Sequence, residues 1–353
     1  MAWKIGVLGL IHDHVWEHVG TLAERDDVTL AVADPNAPLR NQARSTYGVE
    51  RCYDDPATLL ERERPDAVLI FSDNLATVDL VELAASRGTP AMVEKPLADS
   101  LANAERIRVA MQQAGVPLMV NWPTYWTPAI RHALALAADG AVGDIYRFSF
   151  RGGHGGPKEF GCSEYFYSWL HDRARNGAGA YIDYCGYGVS MARLLLGMPS
   201  RAQAAIARLQ KEYIDVDDNA VLLLRYQRAM AVIEASWTVA GPLPDGGPVI
   251  WGRDGTLVVQ RRPSPGEGRI VRSGVIRRLT RDNPDGELIE PPELPEGERN
   301  ATEFFLAHLA ADRPITGLVG LEIGRDTQEI LEAGLIAART GRETSLPLYD
   351  KAS

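Results

Sequence analysis

The sequence predicts an α/β protein in two parts: a doubly wound parallel sheet, then an α/β region with a large, mostly antiparallel open sheet. In the first third of the chain, short apolar runs alternate with helical periodicity, the βαβα order of a parallel sheet covered on both faces. Further on, segments of period-2 alternation are separated by stretches rich in Gly, Pro and Asp. A chain of 353 residues has room for two domains, which we place at residues 1–121 and 122–348.

The elements of the first part are indicated by apolar runs and by helix-end signals. The runs predict strands at residues 5–8, 28–33, 66–71, 89–93 and 116–120. Apolar stripes predict helices from residue 13 to about 23, around 78–84 and around 101–111. Asp99 or Ser100 can cap the last helix, and Gly88 and Gly115 stand where helices commonly end.

The second part begins near Asn121, where aromatic residues cluster. Alternating segments predict strands at 145–150, 201–209, 220–226, 230–237, 249–251 and 257–259. Helices are expected at 128–138, 191–196, 302–311 and 321–340, and the closing pair could pack back on the first domain. The stretch 283–299 is rich in Pro and Glu, so we interpret it as an exposed loop.

Composition excludes several classes of function. The net charge of -10 argues against nucleic-acid binding, which needs clustered positive charge. No apolar run is long enough to cross a bilayer, and a strand that begins almost at the N-terminus leaves no room for a signal peptide. The widely spaced Cys52, Cys162 and Cys185 suggest neither a disulfide framework nor a zinc site. We therefore expect a cytoplasmic protein with no membrane partner.

The most informative motif is Glu94-Lys95-Pro96, which ends an apolar run abruptly. Ligands of open α/β sheets lie at the carboxyl ends of strands. A lysine held there by a following proline is a candidate catalytic group, because the pKa of a partly buried lysine falls easily. The alternative is a simple strand-ending turn.

The loop after the first strand matches a dinucleotide fingerprint poorly. That fingerprint has glycines at positions 9, 11 and 14, and only Gly9 is present, with Ile11 and His14 at the other two. Asp13 could cap the following helix. Asp34 ends the second strand, where an acid binds the adenosine ribose and disfavours a 2′-phosphate, although a turn residue before proline is an equal alternative.

His12, His14 and His18 raise the question of a metal site, since His14 and His18 share a helix face. No cysteine is close in sequence, and Asp13 and Glu17 would point elsewhere on a helix. Because ligand geometry is strict, we favour a loop histidine with exposed helix residues and expect no metal.

Asp183 and Tyr187 lie in a Gly- and Tyr-rich segment before a short amphipathic helix. They are four residues apart, so a helix start would place them on one face. An acid and a phenol on one face can share a substrate, the acid orienting hydroxyls and the phenol moving a proton. The alternative is a capping Asp and a core Tyr.

Several motifs, taken in order over nearly the whole chain, are similar to those of the Gfo/Idh/MocA family. The segments that carry the resemblance are Ser72-Asp73-Asn74, Glu94-Lys95-Pro96, residues 140–145, residues 179–197 and residues 341–348. Tyr187 stands where the family motif often has histidine. This substitution resembles the branch that contains glucose–fructose oxidoreductase and dihydrodiol dehydrogenase.

The resemblance implies a Rossmann domain that binds NAD(P), a C-terminal α/β domain, and a sugar or cyclic polyol substrate between them. It implies that Lys95 hydrogen-bonds the reacting oxygen, Asp183 holds a neighbouring hydroxyl and Tyr187 moves the proton. A free tyrosine has a pKa of about 10, so as a base near neutrality it needs a cation such as Lys95. A face of the C-terminal sheet often forms the family's oligomer interface, which implies a homodimer or homotetramer.

The candidate binding residues lie at strand ends and in aromatic segments, whose rings and polar tips suit a sugar. For these segments the alternative is an ordered loop packed on the core. The expected cofactor-binding residues are Gly9, Ile11, His12, Asp34, Ser72, Asn74, Glu94 and Lys95. The expected substrate-binding residues are Asn121, Trp122, His154, Tyr167, Trp169 and Asp183.

We therefore expect an NAD-dependent oxidoreductase that transfers hydride between nicotinamide and a hydroxyl-bearing carbon of a sugar, glycoside or cyclic polyol, with NADP disfavoured by Asp34. Two alternatives stay open. One is a glycoside hydrolase or lyase that retains its NAD and oxidises the substrate transiently. The other is a non-catalytic NAD or sugar sensor, which the altered glycine loop favours and the joint presence of Lys95, Asp183 and Tyr187 opposes.

Overall fold

The computed structural model describes residues 2–241, 243, 246–262 and 273–349. The chain forms two compact units. The first is drawn from Met1–Asn121, Gly161–Gly177 and Asn300–Arg325, and the second from Trp122–Phe160, Ala178–Arg299 and Asp326–Ser353. The first unit therefore takes in two later stretches of chain, of which residues 161–177 have no counterpart in the sequence-based division and residues 300–325 belong to the closing helical region.

The strands and helices of the described residues are numbered in chain order. The strands are β1 Trp3–Leu8, β2 Val28–Ala33, β3 Arg51–Tyr53, β4 Ala67–Ile70, β5 Ala91–Glu94, β6 Leu118–Asn121, β7 Ile145–Gly153, β8 Arg201–Ala207, β9 Asn219–Arg225, β10 Met230–Ser236, β11 Gly247–Gly252, β12 Gly255–Arg261, β13 Gly274–Leu279, β14 Glu287–Ile289 and β15 Thr344–Ser345. The helices are α1 Val15–Ala23, α2 Ala37–Tyr47, α3 Pro56–Glu63, α4 Asn74–Ser86, α5 Leu101–Ala114, α6 Pro128–Ala138, α7 Pro157–Phe160, α8 Glu164–Leu170, α9 Arg173–Asn176, α10 Gly186–Leu196, α11 Ala301–Ala310 and α12 Leu321–Thr340. Among the residues that the structure describes, no helix is both long enough and apolar enough to cross a membrane.

The sheet of the first unit is parallel throughout. Over the described residues it has six strands in the order β3-β2-β1-β4-β5-β6, the arrangement of a doubly wound dinucleotide-binding sheet. Every residue of β4, β5 and β6 is buried, as expected where helices cover both faces. The prediction of a doubly wound parallel sheet is confirmed, and its strand ends position Gly9, Asp34, Ser72 and Lys95 at one edge.

Three elements of this unit, α2, β3 and α3, have no clear sequence signal. Helix α2 buries only Leu39 and Ala43, so its apolar stripe is narrow. Strand β3 is three residues long and has no fully buried residue. Pairing of β3 with β2 extends the sheet, so these elements are specified by their neighbours rather than by local periodicity.

The second unit is built on an open sheet that is mostly antiparallel, as predicted. Over the described residues it has nine strands in the order β14-β13-β12-β11-β7-β10-β9-β8-β15, with β7 and β10 paired in parallel. Strand β9 shows the alternation that predicted it, because Leu222 and Leu224 are buried whereas Val221 and Leu223 are exposed. Interpreting all of residues 283–299 as a loop is wrong, since β14 lies there and pairs with β13.

Candidate active site

The loop after β1 depends on glycine at its first position. Gly9 has a φ of +86°, and a Cβ atom there would lie 2.8 Å from the carbonyl oxygen of Phe71. Its N–H donates to the carbonyl of Ala33 at the end of β2, at 2.8 Å. The backbone thus passes so close to the neighbouring strand ends that a side chain would clash.

The carboxylate of Asp34 organises the same loop. Asp34 is 1% exposed, and its Oδ2 accepts the backbone N–H of Leu10 at 2.6 Å. Its Oδ1 accepts the backbone and side-chain N–H groups of Asn36 at 2.7 and 2.8 Å. Each carboxylate oxygen can accept more than one hydrogen bond, so these contacts leave room for a ribose hydroxyl. The ribose-binding role stays a prediction.

His12 is packed into the first unit against two aromatic rings of α8. Its ring centroid lies 4.3 Å from that of Phe166 and 5.7 Å from that of Trp169. The backbone N–H of His14 donates to His12 Nδ1 at 3.3 Å. Burial, together with the nearby charges of His14 and Lys95, holds the pKa of His12 well below its usual value. The ring is therefore neutral at physiological pH.

Asp13 does not cap α1, so that expectation is wrong. Its carboxylate instead accepts the backbone N–H and the hydroxyl of Ser163, at 2.7 and 2.5 Å. Ser163 in turn caps α8, which carries Tyr167 and Trp169. The structure thus places these two expected substrate-binding residues on an element attached to the loop after β1, with Trp169 1% exposed.

The end of β5 holds a buried acid beside a buried lysine. Glu94 and Lys95 are each 6% exposed. The side-chain amide of Asn121 donates to Glu94 Oε2 at 2.7 Å, and the backbone N–H of Lys95 donates to the Asn121 carbonyl at 3.2 Å. The other carboxylate oxygen, Oε1, lies 3.3 Å from Nδ1 of His14. Neither of these two atoms makes a hydrogen bond with any residue that the structure describes.

The residues after β4 make contacts that the sequence does not reveal. Asp73 caps α4 and pairs with Arg175 at 2.7 Å. The side-chain amide of Asn74 donates to Oδ1 of Asn176 at 2.7 Å. Ser72, which precedes them, is half-buried. The expected cofactor contacts of Ser72 and Asn74 stay predictions.

In the second unit, Asp183 precedes a regular helix instead of starting one. A π-helical turn covers Tyr181–Cys185, and α10 begins only at Gly186. Asp183 and Tyr187 thus lie on either side of the junction between this turn and α10, and their sharing of one face stays a prediction. Such wide turns often occur at functional sites. Here Asp183 Oδ2 accepts the indole N–H of Trp237 at 2.9 Å, which fixes the carboxylate.

Asp217 holds the start of this segment and has no local sequence signal. Its side chain is buried and accepts the backbone N–H groups of Gly179 and Tyr181 at 2.7 and 2.8 Å. A Cβ atom on Gly179 would lie 2.0 Å from the carbonyl oxygen of Asp217. The glycine of this motif therefore permits a close approach between two backbone segments.

Aromatic residues surround Tyr187 in the second unit. Its ring meets that of Trp122 edge-on, with centroids 5.6 Å apart, and the ring of Tyr184 lies at 6.0 Å. Tyr187 is 6% exposed and Trp122 is 1% exposed. His154 lies 5.4 Å from the ring of Tyr184, and its Nδ1 accepts the backbone N–H of Gly156. Substrate contacts of Trp122 and His154 stay predictions.

The strand order, the glycine after β1 and the acid after β2 define a protein of the Rossmann dinucleotide-binding class. The oxidoreductase family with the NAD-binding Rossmann fold matches residues 4–122, and the Gfo/Idh/MocA C-terminal domain matches residues 130–258. The chain belongs to the Gfo/Idh/MocA family of oxidoreductases. This confirms the resemblance of its motifs.

Several proteins similar to this chain are named as sugar dehydrogenases. A D-apiose dehydrogenase of Paraburkholderia graminis is 32% identical over 228 residues, which cover 64% of this chain and 57% of that protein. A D-apiose dehydrogenase of Rhizobium rhizogenes is 28% identical over 255 residues, covering 69% of this chain and 68% of that protein. A levoglucosan dehydrogenase structure, in complex with NADH and levoglucosan, shares the fold with a TM-score of 0.81 at 19% identity, covering 98% and 100% of the two chains. The first of these matches spans little more than half of its relative's length.

Proposed function

We propose that this protein is an NAD-dependent oxidoreductase that transfers hydride between nicotinamide and a hydroxyl-bearing carbon of a sugar, glycoside or cyclic polyol. The observation that carries the proposal is the burial of Lys95 directly after β5, at the edge of the sheet where such folds bind nucleotides. Membership of an oxidoreductase family and the two sugar dehydrogenases among the relatives support it.

The residues at the strand ends suit a dinucleotide. Gly9 brings backbone close to its neighbours, and Asp34 presents a carboxylate at the end of β2. The N-terminus of α1 has no side-chain cap, and the positive end of its dipole would favour the negative charge of a phosphate. Ile11 departs from the glycine fingerprint, so we assign diphosphate binding to the loop backbone and the end of α1.

The proposed chemistry divides three tasks among three side chains. When bound, NAD would supply the hydride acceptor. The deprotonated phenol oxygen of Tyr187 would take the proton of the reacting hydroxyl, while the hydrogen on the same carbon would leave as hydride to NAD⁺. The ammonium of Lys95 would stabilise the alkoxide that forms, and Asp183, held by Trp237, would orient a neighbouring hydroxyl.

The decisive experiment incubates the purified protein with D-apiose, levoglucosan and cyclic polyols, using NAD⁺ or NADP⁺ and following NADH or NADPH absorbance and products. We expect turnover with NAD⁺, and kcat/KM at least about tenfold lower with NADP⁺, because the Asp34 carboxylate repels a 2′-phosphate. Asp34→Asn should reduce the ratio of kcat/KM with NAD⁺ to kcat/KM with NADP⁺. Asp26→Asn changes an exposed acid and should leave this ratio unchanged. A preference of the wild type for NADP⁺ would refute the role of Asp34. Product formation without NADH release would show that the protein oxidises its substrate only transiently and is not a dehydrogenase.

We also propose that the protein is a homodimer or homotetramer that pairs through the exposed face of the second sheet. Val221, Leu223 and Met230 are 45%, 38% and 49% exposed on adjacent strands β9 and β10, so this face of the sheet presents three apolar side chains to a partner. Leu223→Glu should lower the mass measured by light scattering to that of a monomer, because a charge would be buried at the interface. Val109→Glu, at an exposed apolar residue of α5, should not change it. A monomeric wild type would overturn this proposal.

A further inference from the structure

We propose that His12, His14 and Glu94 bind a divalent transition-metal ion of the Zn²⁺ type. The two histidines belong to the loop after β1, and the acid ends β5. The sequence favours no metal here because the acids near the histidines in the chain point away. The fold brings in a distant one, and one possible ligand atom of each residue lies within 4.8 Å of the other two.

The geometry of one pair already fits a metal. Zn²⁺ binds histidine nitrogen and carboxylate oxygen at about 2.0–2.2 Å, so two ligand atoms of a tetrahedral site lie roughly 3.3 Å apart. Nδ1 of His14 and Oε1 of Glu94 are separated by 3.3 Å. The third ligand, from His12, would have to approach by up to about 1.5 Å, the difference between 4.8 Å and that spacing.

Two of the three atoms that would bind the ion make no hydrogen bond with the residues that the structure describes. Oε1 of Glu94 and Nδ1 of His14 are buried atoms without a hydrogen bond among the residues described. The side chain of Glu94 is only 4% exposed, so its Oε1 is shielded from water and faces Nδ1 of His14 at 3.3 Å, a contact that is an ion pair only when His14 is protonated. Buried polar atoms of this kind are rare and call for a partner, and a cation bound by both atoms would be one.

The surroundings orient one of the ligands and leave one position open. Asn121 donates to Glu94 Oε2, a contact of the kind that fixes a metal ligand. His12 would have to give up the hydrogen bond that its Nδ1 accepts from the backbone N–H of His14, because a neutral ring with a lone pair at Nδ1 carries its proton at Nε2. The charge of Lys95 acts on His12 and opposes a cation, which the Glu94 carboxylate offsets. Two histidines and one acid suit Zn²⁺ or a similar ion and leave a fourth position for water or another oxygen ligand.

The test is a Zn²⁺ titration of the metal-free full-length protein without nucleotide, followed by competition with a chromogenic chelator. We expect one ion per chain. His14→Ala and Glu94→Gln should each weaken binding at least about tenfold, as loss of a ligand does more than loss of its support. His132→Ala removes a histidine from α6, outside the cluster, and should bind like the wild type. Circular dichroism and thermal melts would verify that each variant is folded.

Absence of stoichiometric Zn²⁺ from the wild type would overturn the inference. So would equal affinities of wild type, His14→Ala and Glu94→Gln. His14 is partly exposed, so its variant keeps the test meaningful if Glu94→Gln does not fold. A parallel NADH titration separates this site from the proposed function: a protein that binds Zn²⁺ but not NADH supports the metal site and contradicts the dehydrogenase.

Discussion

Lys95→Ala is expected to lower kcat by about 10²–10³-fold while the protein stays folded. The proposed role of the ammonium is to stabilise negative charge on the reacting oxygen, and removal of one such donor has effects of this size. Lys95 is buried at the end of β5, where its charge is poorly screened by water and therefore acts strongly. The measurement is steady-state kinetics with the best substrate of the carbohydrate panel, together with a thermal melt of the variant.

Two further variants make the Lys95 result specific. Lys95→Met retains most of the side-chain volume and should be as inactive as Lys95→Ala, because the charge rather than the packing is lost. Lys4→Ala removes an exposed lysine of β1 and should keep wild-type kcat. Full activity of a folded Lys95→Met variant would show that Lys95 only ends the strand.

Tyr187→Phe should lower kcat by about 10²–10⁴-fold, the usual contribution of a general acid or base. The change removes only the phenolic oxygen, so the ring contacts with Trp122 and Tyr184 persist and the fold should not change. KM should stay within about threefold of the wild-type value if the oxygen acts mainly in the transition state. The pH dependence of kcat/KM should lose the limb that reports proton transfer to this oxygen.

Tyr184→Phe is the matched control for this prediction. It removes the same atom from a ring 6.0 Å away in the same segment. We expect it to retain kcat and the pH profile of the wild type. If both variants lose activity equally, the phenol of Tyr187 has no special role, and the assignment of the proton-moving group would have to change.

Much of the fold could be predicted because its signals are local. Buried parallel strands are apolar runs, and β2 and α6 lie where the sequence indicates. The side chain of Ser100 caps the start of α5, and Gly115 ends the helix in the left-handed conformation that glycine readily adopts. Elements α2, β3 and β14 were not predicted, because they are short or bury few side chains. Their stability comes from packing and pairing with neighbouring elements.

The contacts within the candidate site could not be predicted, because they join residues that are far apart in the chain. The carboxylate of Asp217 accepts hydrogen bonds from the segment that carries Asp183, and Ser163 donates a hydrogen bond to the carboxylate of Asp13. The indole of Trp237 fixes Asp183 from another strand. Hydrogen bonds of this kind leave no period or spacing in the sequence.

The class of fold, the family motifs and the residue types available for catalysis can be read from the sequence alone. These follow from local patterns of apolar and polar side chains, which persist wherever the chain runs. The approach of Glu94 to His14, the binding of Asp13 to Ser163 and the π-helical turn that contains Asp183 become visible only once the chain is folded. The physical reason is that burial and long-range hydrogen bonding select one partner among many that are chemically equivalent in the sequence.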